Sequence, residues 1–167
     1  MSFAISRIGR GEKSTPLRPV SPTDELAEDR SSDIDLSCTI NAETKRVFQA
    51  LIEPEYLELW MRMPGQDENG RIVVSKSCDL FRLDYHRFGK LDVSIVGSYR
   101  TCRSRRQVWN WWKNPPNSRV SLVEFRLEGS FGSSVLRLRH RGLDAKAEFA
   151  WHTAMWSASL ASLALMF

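Results

Sequence analysis

Cysteine is scarce in this chain and scattered. Cys38, Cys78 and Cys102 are an odd number with no close pair among 167 residues, so they build neither a disulfide framework nor a zinc site of the usual ligand spacing. Isolated thiols of this kind fit a reducing compartment, and a cytoplasmic location is expected. Histidine is equally thin, with only His86, His140 and His152. No Ser/His/Asp order, phosphate-cradling glycine loop or metal-ligand spacing accompanies them. No catalytic residue, metal or cofactor is therefore assigned. Residues 1–30 hold no continuous apolar stretch of the length a secretory signal needs. The basic excess is small, a formal net charge of +4. Its residues alternate with apolar ones, as in Arg137-Leu138-Arg139-His140-Arg141, which marks the wet side of a strand. Nucleic acid is not expected as a partner.

What the chain does have is the composition of a globular domain, 42% hydrophobic and 26% charged, in a length that suits one core. Residues 1–32 stand apart. Arg7, Arg10, Lys13 and Arg18 precede the acidic cluster Asp24, Glu25, Glu28 and Asp29, with Pro16, Pro19 and Pro22 between. Nothing there is periodic enough to fold, so a disordered tail is expected, followed by one domain over 33–167. Deleting residues 1–30 should leave thermal stability nearly unchanged. A melting temperature lower by more than about 5 °C would show instead that the tail packs on the domain.

From Ile34 the pattern is strict alternation. Ile34, Leu36, Cys38 and Ile40 share one face, and Asp35, Ser37 and Thr39 the other, as in a half-buried strand. Asn41 is placed to cap a helix running to Ile52, with Val47, Phe48, Leu51 and Ile52 on one side. Pro54 suits the first turn of a second short helix carrying Tyr56, Leu57 and Trp60, which Pro64-Gly65 ends. A meander of about six strands follows. Phe81, Leu83 and Tyr85 alternate with Arg82, Asp84 and His86, and Gly89-Lys90 turns the chain into Val93, Ile95 and Tyr99. Val108 to Trp112 comes next, with Trp109 and Trp111 on one face and Trp112 opposite, beside a loop at Pro115-Pro116. Val123, Phe125 and Leu127 alternate with Glu124, Arg126 and Glu128 before a last strand, Val135 to His140. Such clean alternation belongs to antiparallel hairpins covered on one face.

The final stretch, Lys146 to Phe167, carries a helical stripe of Phe149, His152, Trp156, Leu160, Leu163 and Phe167. The face between them, Ala150, Ala154, Ser157, Ala161 and Ala164, is small enough to lie close to something flat, and no charge follows Glu148. A core helix gripped by the sheet is the reading that periodicity favours. A membrane tail anchor is weighed against it, because the uncharged run is nearly of spanning length, about 20 residues. Its Ala and Ser content, His152, Thr153 and the lack of a following basic flank argue against that, and no membrane association is expected.

These residues resemble a known family. Val47-Phe48, Leu51, Pro54-Glu55, Leu57 and Trp60 are similar to the opening signature of the START-like (SRPBCC) superfamily, in the branch named after the activator of the heat-shock-protein-90 ATPase. Phe81-Arg82, Gly97-Ser98-Tyr99, Val108-Trp109-Asn110-Trp111, His140, Gly142-Leu143, Trp156, Leu160 and Leu163 follow in the expected order. The resemblance spans roughly Ile34 to Leu165. It implies an α+β helix-grip fold: a curved antiparallel sheet of about seven strands wraps the C-terminal helix and encloses a cavity that two short helices close at one end. Met61, and Cys78-Asp79, depart from the family pattern at positions that would border the cavity mouth.

The expected function is binding of a hydrophobic small molecule between sheet and C-terminal helix. The lining is expected from Trp60, Phe81, Leu83, Tyr85, Ile95, Tyr99, Trp109, Trp111, Phe125, His140, His152 and Trp156. His140 and His152 are expected to approach each other, with Tyr85 or Tyr99 as a third polar group. Two rivals remain: a polyketide-cyclase-like enzyme using a cavity histidine, and a co-chaperone acting on the heat-shock-protein-90 ATPase, with a chaperone as partner. Ordinary core filling by the tryptophans is the competing explanation for the aromatic content.

Overall fold

Alternation becomes one sheet. In a computed structural model of the protein, the described residues are 33–114, 120–130, 132–143 and 146–167, the side chains of 112–114 and 130 excepted. The expected tail, the Pro115-Pro116 loop and the setting of the Trp112 side chain lie outside them. The strands are β1 (Ile34–Ile40), β2 (Gly70–Ser77), β3 (Leu80–Arg87), β4 (Lys90–Arg103), β5 (Arg106–Asn114), β6 (Ser121–Ser130) and β7 (Ser133–Arg141). They form a curved, fully antiparallel sheet in the order β1-β7-β6-β5-β4-β3-β2. From β2 to β7 each strand pairs with its chain neighbour, and β1 returns to pair with β7. Two short helices, α1 (Thr44–Ile52) and α2 (Pro54–Trp60), follow β1, and the long helix α3 (Lys146–Leu165) ends the chain. This is the helix-grip arrangement.

The period of two decides which side chains meet α3. On β5 the inward set is Gln107, Trp109 and Trp111; on β6 it is Ser121, Val123, Phe125 and Leu127; on β7 it is Ser134, Leu136, Leu138 and His140, and all are buried. The β4 strand narrows at Gly97, where an added Cβ would collide with the Phe81 ring, so only glycine lets that ring lie flat across the sheet. The outward set is charged. Glu124, only 5% exposed, receives Arg106 at 2.6 Å and Arg126 at 2.9 Å. Burial pushes its carboxyl up, but hydrogen bonds from the two arginines outweigh that and hold it below the usual range.

The helices at the sheet's end are tied down by polar bonds. Glu53 precedes α2 and Pro54 opens it, as its fixed φ and missing N–H suit a first turn. Trp60 Nε1 donates to Ala50 O at 2.7 Å, locking α2 onto α1. Ser159 Oγ, inside α3, accepts from the Arg62 backbone N–H at 2.9 Å and so holds the chain leaving α2 against the long helix. Ser134 Oγ donates to Ala42 O at 2.6 Å, fixing the entry to α1 on β7.

Several local expectations are corrected. The residue at the N-cap of α1 is Glu43, without a side-chain capping bond, and Asn41 lies two residues outside. In α3 the buried face also contains Met155 and Ser159, while Phe149 and Phe167 are only half-buried. Most of the small-residue face of α3 packs against nothing among the described residues: Ala150, Ala154, Ser157 and Ala161 are exposed, because the sheet grips one side of the helix, and only Ala164 is partly buried against the core. Met61 is fully buried instead of bordering a mouth. Cys78 is exposed in the β2–β3 turn with φ +51°, a backbone conformation that favours glycine.

Candidate functional site

Five large rings converge between sheet and helix. Phe81 from β3, Trp109 and Trp111 from β5, Phe125 from β6 and Trp156 from α3 are each 2% exposed or less. Trp109 stacks on Trp111 with centroids 6.2 Å apart and 13° between planes. Phe125 meets Trp109 at 4.5 Å, Trp156 meets Trp111 at 5.0 Å, and Phe81 meets Trp109 at 5.1 Å. These edge and offset contacts are the favoured arrangements of aromatic quadrupoles. Leu83 and Ile95 face each other across β3 and β4 beside this cluster, both fully buried.

The two histidines meet as expected, ring centroids 4.7 Å apart at 89°. Their protons follow from their partners. An indole N–H can only donate. Trp156 Nε1 donates to His140 Nδ1 at 3.0 Å, so the proton of neutral His140 is on Nε2, facing Ser121 Oγ at 2.7 Å. That hydroxyl in turn donates to Trp111 O at 3.0 Å. Trp111 Nε1 donates to His152 Nε2 at 3.3 Å, which leaves the His152 Nδ1 proton for Glu148 O at 2.8 Å. Each ring is thus held as a single neutral tautomer. Burial, with the neighbouring His152 adding to it, pushes the His140 pKa down to about 2. A proton on His140 Nδ1 would have to displace the Trp156 bond.

The tyrosines do not complete this cluster. Tyr99 packs on Phe81 at 5.2 Å and Trp109 at 5.8 Å, while Tyr85 stands on β3 with its hydroxyl over Gly70. Neither hydroxyl has a hydrogen-bond partner among the described residues. Tyr99 is partly buried, with Lys76 Nζ 5.1 Å from its ring centroid, so it marks the end of the aromatic wall nearest solvent. Trp60 is fully buried but serves the α1–α2 contact. Sequence reasoning missed Gln107 and Ser121, although both share strand parity with Trp109 and Phe125 and could have been read from it. Among the described residues no group of three or more His, Cys, Asp and Glu side chains converges as a metal site. A groove of about 330 Å³ lies on the sheet's other face among Asp35, Glu124, Arg126, Arg137 and Arg139, whose charges largely pair with one another.

A sequence model of the family described as "Activator of Hsp90 ATPase homolog 1-like protein" matches residues 41–167. The chain belongs to this family. No curated protein gives a significant match. Solved structures similar to the family member described here include a protein from Chromobacterium violaceum, at 18% identity and a TM-score of 0.67 over 81% of this chain and 96% of that one. A protein from Rhodobacter sphaeroides matches at 14% identity and 0.64 over 80% and 91%. CalU16 from Micromonospora echinospora matches at 18% and 0.55 over 80% and 74%. At such identities the likeness establishes the fold alone. No helix among the described residues is long and apolar enough to cross a membrane.

Proposed function

We propose that this protein binds a hydrophobic small molecule against the aromatic wall between sheet and α3, reached from the Tyr99 end. The observation that carries the reading is that wall: rings from four strands and one helix meet on the concave face, and one of its members, Tyr99, is only partly buried. A mostly apolar recess with a few polar groups is the usual form of a small-molecule site. The same rings also fill a core, and a ligand would enter by parting those nearest the open end. The histidine pair supports binding over catalysis. A general base needs a lone pair facing its substrate, and those of His140 and His152 are both occupied by indole donors. The family's name points to a co-chaperone role as well; that reading needs a partner surface.

Native mass spectrometry of protein purified from its own host tests this. A mass increment that disappears on denaturation is expected, and its repeated absence would count against a bound ligand. Replacing His152 with Gln should alter stability or ligand retention only. Conversion of a bound compound by the wild-type protein, lost in that variant while binding persists, would replace this reading with an enzymatic one.

A further inference from the structure

Two buried donor groups belong to adjacent strands beside the aromatic wall, Tyr99 Oη on β4 and Gln107 Nε2 on β5. Gln107 is 1% exposed; its Oε1 accepts from Trp109 Nε1 at 3.1 Å, which turns its amide nitrogen away from that bond. Gln107 Nε2 and Tyr99 Oη have no hydrogen-bond partner among the described residues. Both side chains belong to the inward set of adjacent strands, Tyr99 pairing in register with Trp109 and Gln107 with Cys102, just where the β4–β5 register shifts. Buried polar groups are rarely left unpaired, and such groups in a native fold call for an explanation. Tyr99 stays protonated well above the usual phenol range, because burial and then the nearby Cys102 and Glu53 oppose its ionisation. It therefore offers an O–H, beside the two N–H bonds of the amide.

We infer that Gln107 Nε2 and Tyr99 Oη form the polar end of the ligand site and that the ligand presents a carbonyl oxygen to them. This rests on the small-molecule reading above and names the group that orients the ligand. A carbonyl has two lone pairs and can accept from both donors at once. An anionic oxygen fits less well: burial and the nearby Cys102 and Glu53 already oppose negative charge at Tyr99, and the ammonium of Lys76 is 3.5 Å from Ile52 O and over the Tyr99 ring. The rest of the ligand is aromatic or alicyclic, in contact with Phe81 and Trp109.

The probes are 9-fluorenone and fluorene, one tricyclic frame with and without the carbonyl, measured by equilibrium dialysis. Wild-type protein should hold fluorenone about tenfold more tightly than fluorene, the effect of hydrogen bonds made in a dry site. Tyr99→Phe, which removes one oxygen, should shrink that ratio, and Tyr99→Phe with Gln107→Leu should abolish it while fluorene binding persists. The single variant keeps the test intact if loss of Gln107, on which Trp109 Nε1 depends, weakens folding. Equal binding of the two probes by wild type would overturn this inference and leave the small-molecule reading standing. A ratio unchanged by Tyr99→Phe would also overturn it. Binding of neither probe would count against both.

Discussion

Replacing Trp156 with alanine is expected to cost about 3–5 kcal/mol, the range for removing a large buried ring. Trp156 is fully buried, touches Trp111 and Phe125, and supplies the donor to His140 Nδ1. The variant leaves a void where α3 meets β5 and β6, and an imidazole nitrogen without its indole. In a protein of ordinary marginal stability, about 5–15 kcal/mol in total, that unfolds a substantial part of the population or brings it close. Urea denaturation of the two proteins measures it, and a loss under about 1 kcal/mol would contradict a gripped helix. Truncation after Leu143 is the stronger form of the same experiment. It removes α3 entirely and uncovers Trp109, Trp111, Phe125 and Leu138 together. The truncated chain should neither stay in solution nor melt cooperatively. A soluble truncation with a sharp transition would mean that the sheet does not need the helix.

Acid should weaken the fold well above the carboxylate range. The folded-state pKa of His140 is lowered to about 2 from an ordinary 6.5, so the unfolded chain takes up a proton that the folded one refuses. This stabilisation is complete above the unfolded pKa and is lost as pH falls below it towards the folded value. Between pH 7 and pH 5 the unfolding free energy should therefore drop by about 2 kcal/mol from this residue. His140→Gln should remove that dependence, whatever it does to stability at neutral pH. Equal slopes of stability against pH in the two proteins over that interval would show that His140 takes up its proton in the fold. Glu124 contributes in the same direction only at lower pH, since its carboxyl is held below the usual range.

Alternation made the sheet legible because one side of each strand must be apolar and the other charged. Arg137, Arg139 and Arg141 face water and Leu136, Leu138 and His140 face α3 for this reason alone. The same periodicity brought His140 and His152 together in advance, one at a strand end and the other a helical turn before Trp156. Which nitrogen carries each proton was not legible, since it depends on Trp111 and Trp156 indoles that reach across from other elements. The inward face of α3 was legible in part: His152, Trp156, Leu160 and Leu163 were read as inward, whereas Met155 and Ser159 were not. Ser159 is buried for a backbone N–H of Arg62 far away in the chain, and no helical period announces that. Gln107 was overlooked because the strand was read only from Val108 onwards, although parity with Trp109 places it inward. The capping of α1 misled because Asn41 has the better chemistry for an N-cap, whereas the chain needs two more residues to turn off β1 before the helix begins.

The pairing of β1 with β7 sets the order in which the molecule can be completed. Strands β2 to β7 each pair with their neighbour in the chain, contacts that form early because little chain must be closed. The first strand has no such neighbour. Its junction with the last, seen in the bond from Ser134 to Ala42, spans 92 residues. On a ribosome, β1 emerges with Ile34 and Ile40 on its apolar face and must wait until nearly the whole domain has been made before β7 can receive it. The strand that begins the fold is thus among the last to be covered, and during synthesis it is the segment that a holding chaperone would have the longest time to meet.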